Sequence, residues 1–450
     1  MKEKAKFSSK IGFILAAAGS AVGLGNLWRF PYLAAKYGGG TFLLIYLILA
    51  VTFGFVLMLT EIAIGRKTGK SVLNAYGVLD GRFKFLGVIA GLVPVIIFPY
   101  YCVIGGWVTK YLCVYVTGEG SAATSDSYFT GFIGGVSQPI IFLLVFLLLT
   151  AVVVVLGVQK GIEKSSKILM PILVVLSVII AVYVFTIPGS MDGIIYYIKP
   201  DFSRFSINAV FAAMGQLFYS MSIAMGIMIT YGSYMKKEDN LESSVRQIEI
   251  FDTGIAFVAG LIIVPAVFTF SGGDQAALKQ GPSLMFVTLP KVFETMKFGN
   301  VIGAIFFLLV LFAALTSAIS LMETIVAMVE EKFGMGRIKA SIIVTIIALL
   351  IALPSALGFS VWSEVKIIGM SFLDFFDFIS NGVLMPIVAL CTCILIGYVV
   401  KPEVIAEEVE ISEEFKAKKM YNVILKYIAP IILILILITS ILNTFGIITL

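Results

Sequence analysis

Five ionisable side chains lie inside apolar stretches that are long enough to cross a membrane: Arg29, Glu61, Asp252, Asp374 and Asp377. A charge at that depth costs about 3 kcal/mol or more unless it is paired or faces water, so each is a candidate for binding or gating. Lys110 and Glu323 lie closer to the ends of such stretches, where we expect their side chains to reach the interface. The sequence has no histidine, the usual proton shuttle and metal ligand. Ion binding by oxygen atoms is therefore favoured over redox or zinc chemistry.

Small and polar residues interrupt the first apolar stretch, residues 11–35. The interruption, residues 19–26, reads GSAVGLGN and is followed by Arg29. Backbone groups freed from a helix inside a bilayer need partners, because no water is available there. Secondary transporters use such breaks to point amides at anions and carbonyls at cations. The break therefore predicts a bound ion and a bound substrate.

A second interruption lies in the sixth apolar stretch, residues 208–235, where glycines and hydroxyls cluster between Tyr219 and Gly226. Helices one and six run in opposite senses, as inverted repeats require. Serine and glycine at such positions also mediate close helix packing, which is the alternative for this stretch alone.

Two sets of oxygen ligands fit sodium, because a hard cation prefers carbonyl, hydroxyl, amide and carboxylate oxygens. The first set is Ala21, Asn26, Ser220 and Asp252, and the second is Gly19, Val22, Ala313, Thr316 and Ser317. Adjacent threonine and serine in a helix also bond the preceding turn, which is the alternative for the second set. Glu61 either caps the amides of a broken helix or lies near the interface. Arg29 and Asp377 form either an outer gate or a static ion pair.

The elements that position these residues are predicted to be eleven membrane-spanning helices. Hydrophobic residues make up 60% of the 450 positions, charged residues make up 13%, and the mean hydropathy is +1.05. A spanning helix needs about 20 apolar residues. The stretches that meet or approach this length are residues 11–35, 41–64, 85–116, 140–158, 168–187, 208–235, 251–270, 301–329, 340–357, 371–400 and 427–448.

Basic residues predict the orientation in the membrane. With the N-terminus in the cytoplasm, the outside connections hold only Lys199, Arg204, Lys279, Lys291, Lys297 and Lys366. This positive-inside bias places the C-terminus outside, and it explains the net charge of +5 without a nucleic-acid partner. We expect no removable signal peptide. The external connection 271–297 is long enough for a lid, and the linker 401–420 is expected to be a solvated helix.

Several motifs together resemble the neurotransmitter:sodium symporter family. They are GSAVGLGNLWRFPY at residues 19–32, GGG at 38–40, PYY at 99–101, GQ at 215–216, TYGSY at 230–234, LTS at 315–317 and DFFD at 374–377. Within that family the chain is most similar to the eleven-helix bacterial amino-acid transporters.

The resemblance implies an all-α membrane protein in which helices 1 and 6 are broken within a 5+5 inverted-repeat core. It implies one domain, residues 1–450, with repeat one at about 11–187, repeat two at about 208–400 and an extra helix at about 427–448. It also implies a bacterial plasma-membrane location, no enzymatic activity, and sodium-coupled transport by alternating access.

The family's site residues carry over by position. The substrate residues so implied are Ala21, Gly23, Leu24, Gly25, Ile97, Tyr101, Tyr219, Ser220, Ser222, Ile223, Ala224, Met225, Ser317, Ala318 and Leu321. The α-carboxylate would meet the amides of Leu24 and Gly25 and the Tyr101 hydroxyl. The two oxygen sets above would bind the two sodium ions, Tyr219 would be an aromatic lid, and the outer gate would be Arg29 with Asp377. The inner gate would be Lys4 with Glu331, or with Glu330.

Departures from the family pattern refine these expectations. Aspartate at 252 stands where many relatives have asparagine, so we expect no chloride requirement. Gly23 stands where monoamine transporters have aspartate, which favours amino acids over amines. Phe7 stands where many relatives have tryptophan, while Gly161 and Pro171 match a motif that allows helix 5 to unwind.

The side-chain pocket has no charge, so neutral and mainly apolar amino acids are the expected substrates. A channel or receptor-like protein, a transporter of sugars or nucleobases, and an intramembrane enzyme are the alternatives. The enzyme would need a nucleophile and a base, for which the sequence offers no pattern.

Overall fold

Long apolar runs become long helices in this chain, because a backbone inside hydrocarbon must satisfy its own hydrogen bonds. The computed structural model describes residues 6–271 and 282–448. We number the spans α1 (Lys10–Ala21 and Gly25–Lys36), α2 (Gly40–Thr68), α3 (Gly81–Val116), α4 (Ser137–Val155), α5 (Val158–Phe185), α6 (Ile207–Ser220 and Ile227–Gly232), α7 (Leu241–Phe270), α8 (Gly299–Phe333), α9 (Arg337–Leu357), α10 (Phe372–Val399) and α11 (Lys418–Thr444).

Two of these spans are broken, as the sequence predicted. Within the described ranges, nine helices are long and apolar enough to cross a membrane without a break. The two halves of α1 bend by 55° and together make a tenth span. The halves of α6, separated by residues 221–226, make the eleventh. Counted in this way, the described helices give the predicted number of eleven spans.

The helices differ in how much of their surface the protein covers. In α3 and α8, 72% of the most apolar window is buried, whereas the figure is 39% for α4 and α9, 33% for α5 and 28% for α11. The exposed residues of these outer helices are aliphatic, for example Val152, Val175 and Ile346. Helices α3 and α8 therefore form the centre of the bundle, and the others present apolar side chains to lipid.

Glycines bring α2 against the second half of α6. A Cβ at Gly65 would overlap the carbonyl of Ile229, and a Cβ at Gly232 would overlap the backbone of Ile62. Small residues at a membrane helix contact allow backbones to approach closely, so dispersion contacts can form over the whole crossing. This contact holds Glu61 of α2 next to the break in α6.

The linker after α10 is helical at Glu403–Glu410, but it is not wholly solvated as predicted. The Glu408 carboxylate is buried and lies 2.8 Å from Nε of the buried Arg66 at the end of α2. It also lies 2.6 Å from Nζ of Lys237, between α6 and α7. The linker therefore packs on the end of α2 and on the connection between α6 and α7. A charge pattern in the sequence cannot reveal partners at such a distance along the chain.

The predicted external lid, residues 271–297, falls partly outside the described residues. Its described part contains two helical segments, Leu284–Thr288 and Leu289–Thr295. The buried ring of Phe286 packs parallel to that of Phe129, with centroids 5.0 Å apart. This part of the connection is therefore anchored on the outer end of the bundle.

Candidate functional site

The break in α1 exposes backbone groups at residues 22–24, between a helix that ends at Ala21 and a π-turn that begins at Gly25. All of these residues are buried. The Leu24 amide donates to the Tyr101 hydroxyl at 3.4 Å, and the Gly23 amide donates to the Asn26 side-chain oxygen at 3.1 Å. Side chains from α1 itself and from α3 thus meet the amides that the helix no longer satisfies.

The break in α6 has an unusual backbone. Two non-glycine residues, Ser222 and Ala224, have φ values of 53° and 62°, and Gly226 has 72°. A left-handed non-glycine residue costs about 1–3 kcal/mol and persists only where neighbours impose it. Glu61 Oε1 accepts a hydrogen bond from the Ala224 amide at 2.7 Å, and the Ser222 hydroxyl donates to the Ser20 carbonyl at 2.9 Å. Glu61 therefore caps the broken helix.

A cavity lies between the two breaks and is closed by side chains from α3 and α8. It is lined by Ser20, Ala21, Gly23, Leu24, Gly25, Asn26, Ile97, Tyr101, Tyr219, Ser220, Ser222, Met225, Ile227, Ser317 and Leu321. Three predicted substrate residues, Ile223, Ala224 and Ala318, are buried but are not part of this lining. The lining also includes Ser20 and Ile227, which the sequence prediction missed. Ile227 directly follows Gly226, where α6 resumes, and only this position in the sequence could have indicated that it lines the cavity.

Tyr219 covers the outer side of the α1 break. A Cβ at Gly25 would lie 2.8 Å from the Tyr219 ring, so the close approach of this ring requires glycine at position 25. The Arg29 guanidinium lies over the other part of the same ring, 5.6 Å from its centroid. Cation–π contacts of this kind are worth about 0.5–2 kcal/mol. Tyr219 is thus held between the break and Arg29.

Two members of the first predicted sodium set, Asn26 and Ser220, bond the carboxylate of a third, Asp252. Asp252 is fully buried, and its Oδ1 accepts from Asn26 Nδ2 at 2.8 Å and from the Ser220 hydroxyl at 2.9 Å. Its Oδ2 accepts from the Tyr46 hydroxyl at 3.5 Å. Ala21 lines the neighbouring cavity. Carboxylate, amide and hydroxyl groups carry the oxygen atoms that a hard cation prefers as ligands, and here all three lie within hydrogen-bond reach of one another.

The residues of the second predicted sodium set lie where α8 packs against the first half of α1. The Ser317 hydroxyl lies 3.4 Å from the Gly19 carbonyl oxygen, 3.0 Å from that of Ser20 and 3.3 Å from that of Val22. Thr316 differs, because its hydroxyl bonds the preceding turn at Phe312 and Ala313. Thr316 therefore bonds its own helix while also lying beside Gly19, and the Ser317 hydroxyl faces the break.

The predicted outer-gate residues do not pair directly in the described chain. Asp377 Oδ1 accepts from Asn381 Nδ2 at 2.6 Å and from the Tyr100 hydroxyl at 3.2 Å, while Arg29 lies on Tyr219. No N–O distance within 4.0 Å joins the two charges among the described residues. They lie on either side of the aromatic pair, Tyr100 and Tyr219.

On the opposite side of the cavity, Phe7 packs among aromatic rings. Its buried ring contacts those of Phe13, Tyr231 and Tyr234 edge-on, with centroids 5.6–6.2 Å apart. Lys4, the predicted inner-gate cation, lies outside the described residues. Glu331 accepts from the Ser71 amide and from Asn74 Nδ2, both at 2.7 Å. An aromatic cluster therefore closes the end of the bundle that we predict to be cytoplasmic.

Glu323 does not reach the interface as predicted. Its side chain is fully buried, pairs with Arg337 of α9 and accepts from the Tyr234 hydroxyl at 2.7 Å. Arg337 also donates from Nε to the Val154 carbonyl at 2.8 Å. The position of Glu323 near a helix end suggested exposure, but the start of α9 covers it.

Known proteins resemble this chain over nearly its whole length. The sequence model of the Sodium:neurotransmitter symporter family matches residues 4–130 and 130–447. An uncharacterized sodium-dependent transporter of Haemophilus influenzae is 35% identical over 456 residues, 98% of each chain. One of Bacillus subtilis is 35% identical over 451 residues, 99% of this chain and 98% of its own. The crystal structure of a protein named MhsT in complex with L-phenylalanine has a TM-score of 0.87 and 36% identity, and the match covers 97% of this chain and all of that one.

Proposed function

Because the chain belongs to the sodium:neurotransmitter symporter family, an integral-membrane transporter family, we propose that it couples sodium entry to uptake of neutral, mainly hydrophobic amino acids. The observation that carries this proposal is the cavity between the two broken helices. Its lining combines the backbone of the α1 break and the Tyr101 hydroxyl with the apolar side chains of Ile97, Met225, Ile227 and Leu321. An amino acid has the matching polarity, and we propose no enzymatic step.

The polar end of the cavity suits a carboxylate. The Leu24 and Gly25 amides begin the second half of α1, and the Tyr101 hydroxyl lies 3.4 Å from the Leu24 nitrogen. The start of a helix carries a partial positive charge and unsatisfied N–H donors, so it favours an anion. The amine would then meet the carbonyls of Ala21, Tyr219 and Ser222.

The other end suits an uncharged side chain. Ile97, Met225, Ile227 and Leu321 supply its lining. A charged substrate side chain would lie here without a partner, at a cost of several kcal/mol. The flexible Met225 side chain can repack around different shapes, which supports a substrate range over a single substrate. The phenylalanine bound to MhsT has this chemistry.

We propose two sodium ions and no chloride. The first ion would take Ala21, Asn26, Ser220 and Asp252, and the second Gly19, Val22, Ala313, Thr316 and Ser317. The buried Asp252 carboxylate already supplies a negative charge beside the first ion. That charge balances one cation in a low-dielectric site, so a bound chloride is not needed for neutrality.

Transport would proceed by alternating access between the two repeats, residues 11–187 and 208–400. The outer closure would be Arg29, Asp377 and the Tyr219 lid, and the inner closure would include Lys4, Glu331 and the cluster around Phe7. We propose that the N-terminus lies in the cytoplasm and the C-terminus outside. The extra span, α11, would lie beside this core.

Uptake into proteoliposomes tests the proposal. Wild-type protein should accumulate labelled leucine-like or aromatic amino acids under an inward sodium gradient and not under a potassium gradient. Replacing chloride with gluconate should leave this uptake unchanged. Lysine and glutamate should fail to compete. Uptake without sodium dependence would contradict symport, and competition by lysine at similar affinity would contradict the pocket assignment.

Replacing Tyr101 with phenylalanine should weaken amino-acid binding by about 10–100-fold, because a hydrogen bond to a charged group contributes about 1.5–3 kcal/mol. Equilibrium binding of a labelled amino acid at saturating sodium measures the change. Tyr111→Phe is the matched control, because Tyr111 is on the same helix as Tyr101 but outside the cavity, and its hydroxyl donates to the Phe286 carbonyl at 2.8 Å. Equal affinity losses in both variants would show that Tyr101 acts only through packing.

A further inference from the structure

The carboxylate of Glu163, in the first turns of α5, gathers four hydrogen-bond donors. It accepts from the Ser8 amide at 2.8 Å, from the hydroxyls of Ser8 and Ser9 at 2.5 and 3.0 Å, and from Lys167 Nζ at 2.7 Å. The side chain is only 2% exposed. We infer that Glu163 is the positioning residue that fastens the N-terminal plug, residues 6–9, and the start of α1 to α5. The link to transport rests on the proposed function, and the fastening itself does not.

The N-terminal plug has few other attachments in the described chain. Gln159 of α5 donates to the Lys6 carbonyl at 2.8 Å. From the other side, the Phe7 amide donates to the Tyr234 carbonyl at 3.1 Å, and Lys236 Nζ reaches the Ser8 carbonyl at 3.1 Å. The plug therefore bridges the start of α5 and the end of α6. Glu163 supplies most of the bonds on the α5 side.

Gly12 makes room for this carboxylate. A Cβ at position 12 would overlap the Glu163 carboxyl group, so the side chain can rest on the first turn of α1 only because residue 12 is glycine. Ser9 caps the same turn, accepting from the Gly12 amide at 3.1 Å. A carboxylate beside the first amides of a helix is favoured by the helix dipole. Gly12, the capping residue Ser9 and Glu163 thus contact one another at the first turn of α1.

The burial of Glu163 couples two movements. If the start of α1 leaves, the carboxylate loses three of its four donors, those of Ser8 and Ser9, and keeps only Lys167 on its own helix. A hydrogen bond to a charged group contributes about 1.5–3 kcal/mol, so we expect the departure of α1 to be accompanied by a rearrangement of the first turns of α5. The π-turn that carries Glu163, Val158–Glu163, belongs to a span whose apolar window is only 33% buried, so α5 lies at the periphery of the bundle.

The same movement would reach the second proposed sodium site. The helix that begins beside Glu163 ends at Ala21, and its last turn presents the Gly19 and Ser20 carbonyls to Ser317. Displacement of this half-helix separates those oxygens from α8, and it removes Phe7 from the aromatic cluster. Glu163 thus sets how readily the cavity opens at the end that we propose to be cytoplasmic.

Amide hydrogen exchange of the full-length protein in lipid nanodiscs tests the fastening with two independent variants. Glu163→Gln removes the charge. Gly12→Ala displaces the intact carboxylate while raising the helix propensity of the first turn, so loss of helix stability cannot explain its effect. Both should accelerate exchange at least about tenfold in residues 8–16 and in residues 158–166 together, whereas Glu414→Gln, at an exposed linker position, should change neither segment.

The double variant, Glu163→Gln with Gly12→Ala, tests whether both changes act on the same contact. Non-additive exchange rates in the double variant would support a shared mechanism. Faster exchange in residues 158–166 alone, or wild-type exchange in Gly12→Ala, would overturn the fastening. In the same preparations, the sodium concentration for half-maximal amino-acid binding should rise about fivefold in both variants. If the wild type binds no amino acid in sodium, the proposed function fails, while the exchange rates still decide the role of Glu163.

Discussion

Replacing Asp252 with asparagine is expected to raise the sodium concentration for half-maximal amino-acid binding at least about 100-fold, a loss of about 2.8 kcal/mol. The reason is electrostatic. Asp252 supplies the only carboxylate among the proposed ligands of the first ion, and it is fully buried, so no solvent replaces its charge. Bonds between charged and polar groups are about twice as strong as those between neutral groups.

The measurement is sodium titration of labelled amino-acid binding with chloride present and absent. Asp192→Asn, an exposed aspartate between α5 and α6, is the matched control and should bind as the wild type does. Asparagine has the same shape as aspartate and can still bond Ser220 and Asn26, so the thermal unfolding temperature without sodium should change little. Unchanged sodium affinity in Asp252→Asn would show that the carboxylate is not a ligand.

The two breaks were predictable because their signal is local. Glycines and an asparagine within eight residues contradict a spanning helix, and only a bound ligand or a cap resolves the contradiction. The helix count followed from apolar length in the same way. The cap itself was ambiguous, since Glu61 and the Ala224 amide it bonds are 163 positions apart in sequence.

Long-range pairing explains what the sequence did not reveal. Glu323 is near a helix end, yet Arg337 and Tyr234 enclose it. Arg66 and Glu408 meet across 342 positions, which turned an apparently solvated linker into a packed one. No periodicity or composition in either segment encodes the other, so such pairs emerge only when the helices are assembled.

Backbone conformation explains why the cavity lining differs from the predicted substrate residues. The family resemblance implies Ile223 and Ala224, but the left-handed residues Ser222 and Ala224 direct neighbouring side chains to different sides. Met225 and Ile227 line the cavity, while Ile223 and Ala224 do not. If this part of α6 were a regular helix, different side chains would line the cavity. The direction of each side chain in the break depends on φ values that residue types alone do not determine.

Replacing Gly23 with aspartate is expected to reverse the preference between amino acids and amines. A Cβ at position 23 would lie 2.9 Å from Ser317 Oγ and 3.2 Å from the Tyr101 hydroxyl, so the new side chain enters the polar end of the cavity. Gly23 is not among the glycines with positive φ, so its backbone conformation is open to other residues, although the Ser317 hydroxyl must move to make room. The added carboxylate would repel a substrate carboxylate and attract an amine. We expect phenylalanine affinity to fall more than about 100-fold, since like charges in such a site cost several kcal/mol.

Competition between phenylalanine and phenethylamine, the same molecule without its carboxylate, measures this preference directly. Gly23→Ala separates bulk from charge: it should weaken both ligands by a similar factor, about tenfold, because a methyl group crowds Ser317 and Tyr101 without adding charge. In Gly23→Asp the ratio of the two affinities should shift toward the amine by more than about 100-fold, even if absolute binding is weaker. Because a ratio is insensitive to the amount of folded protein, an unchanged ratio would place the substrate carboxylate away from Gly23, Leu24 and Tyr101.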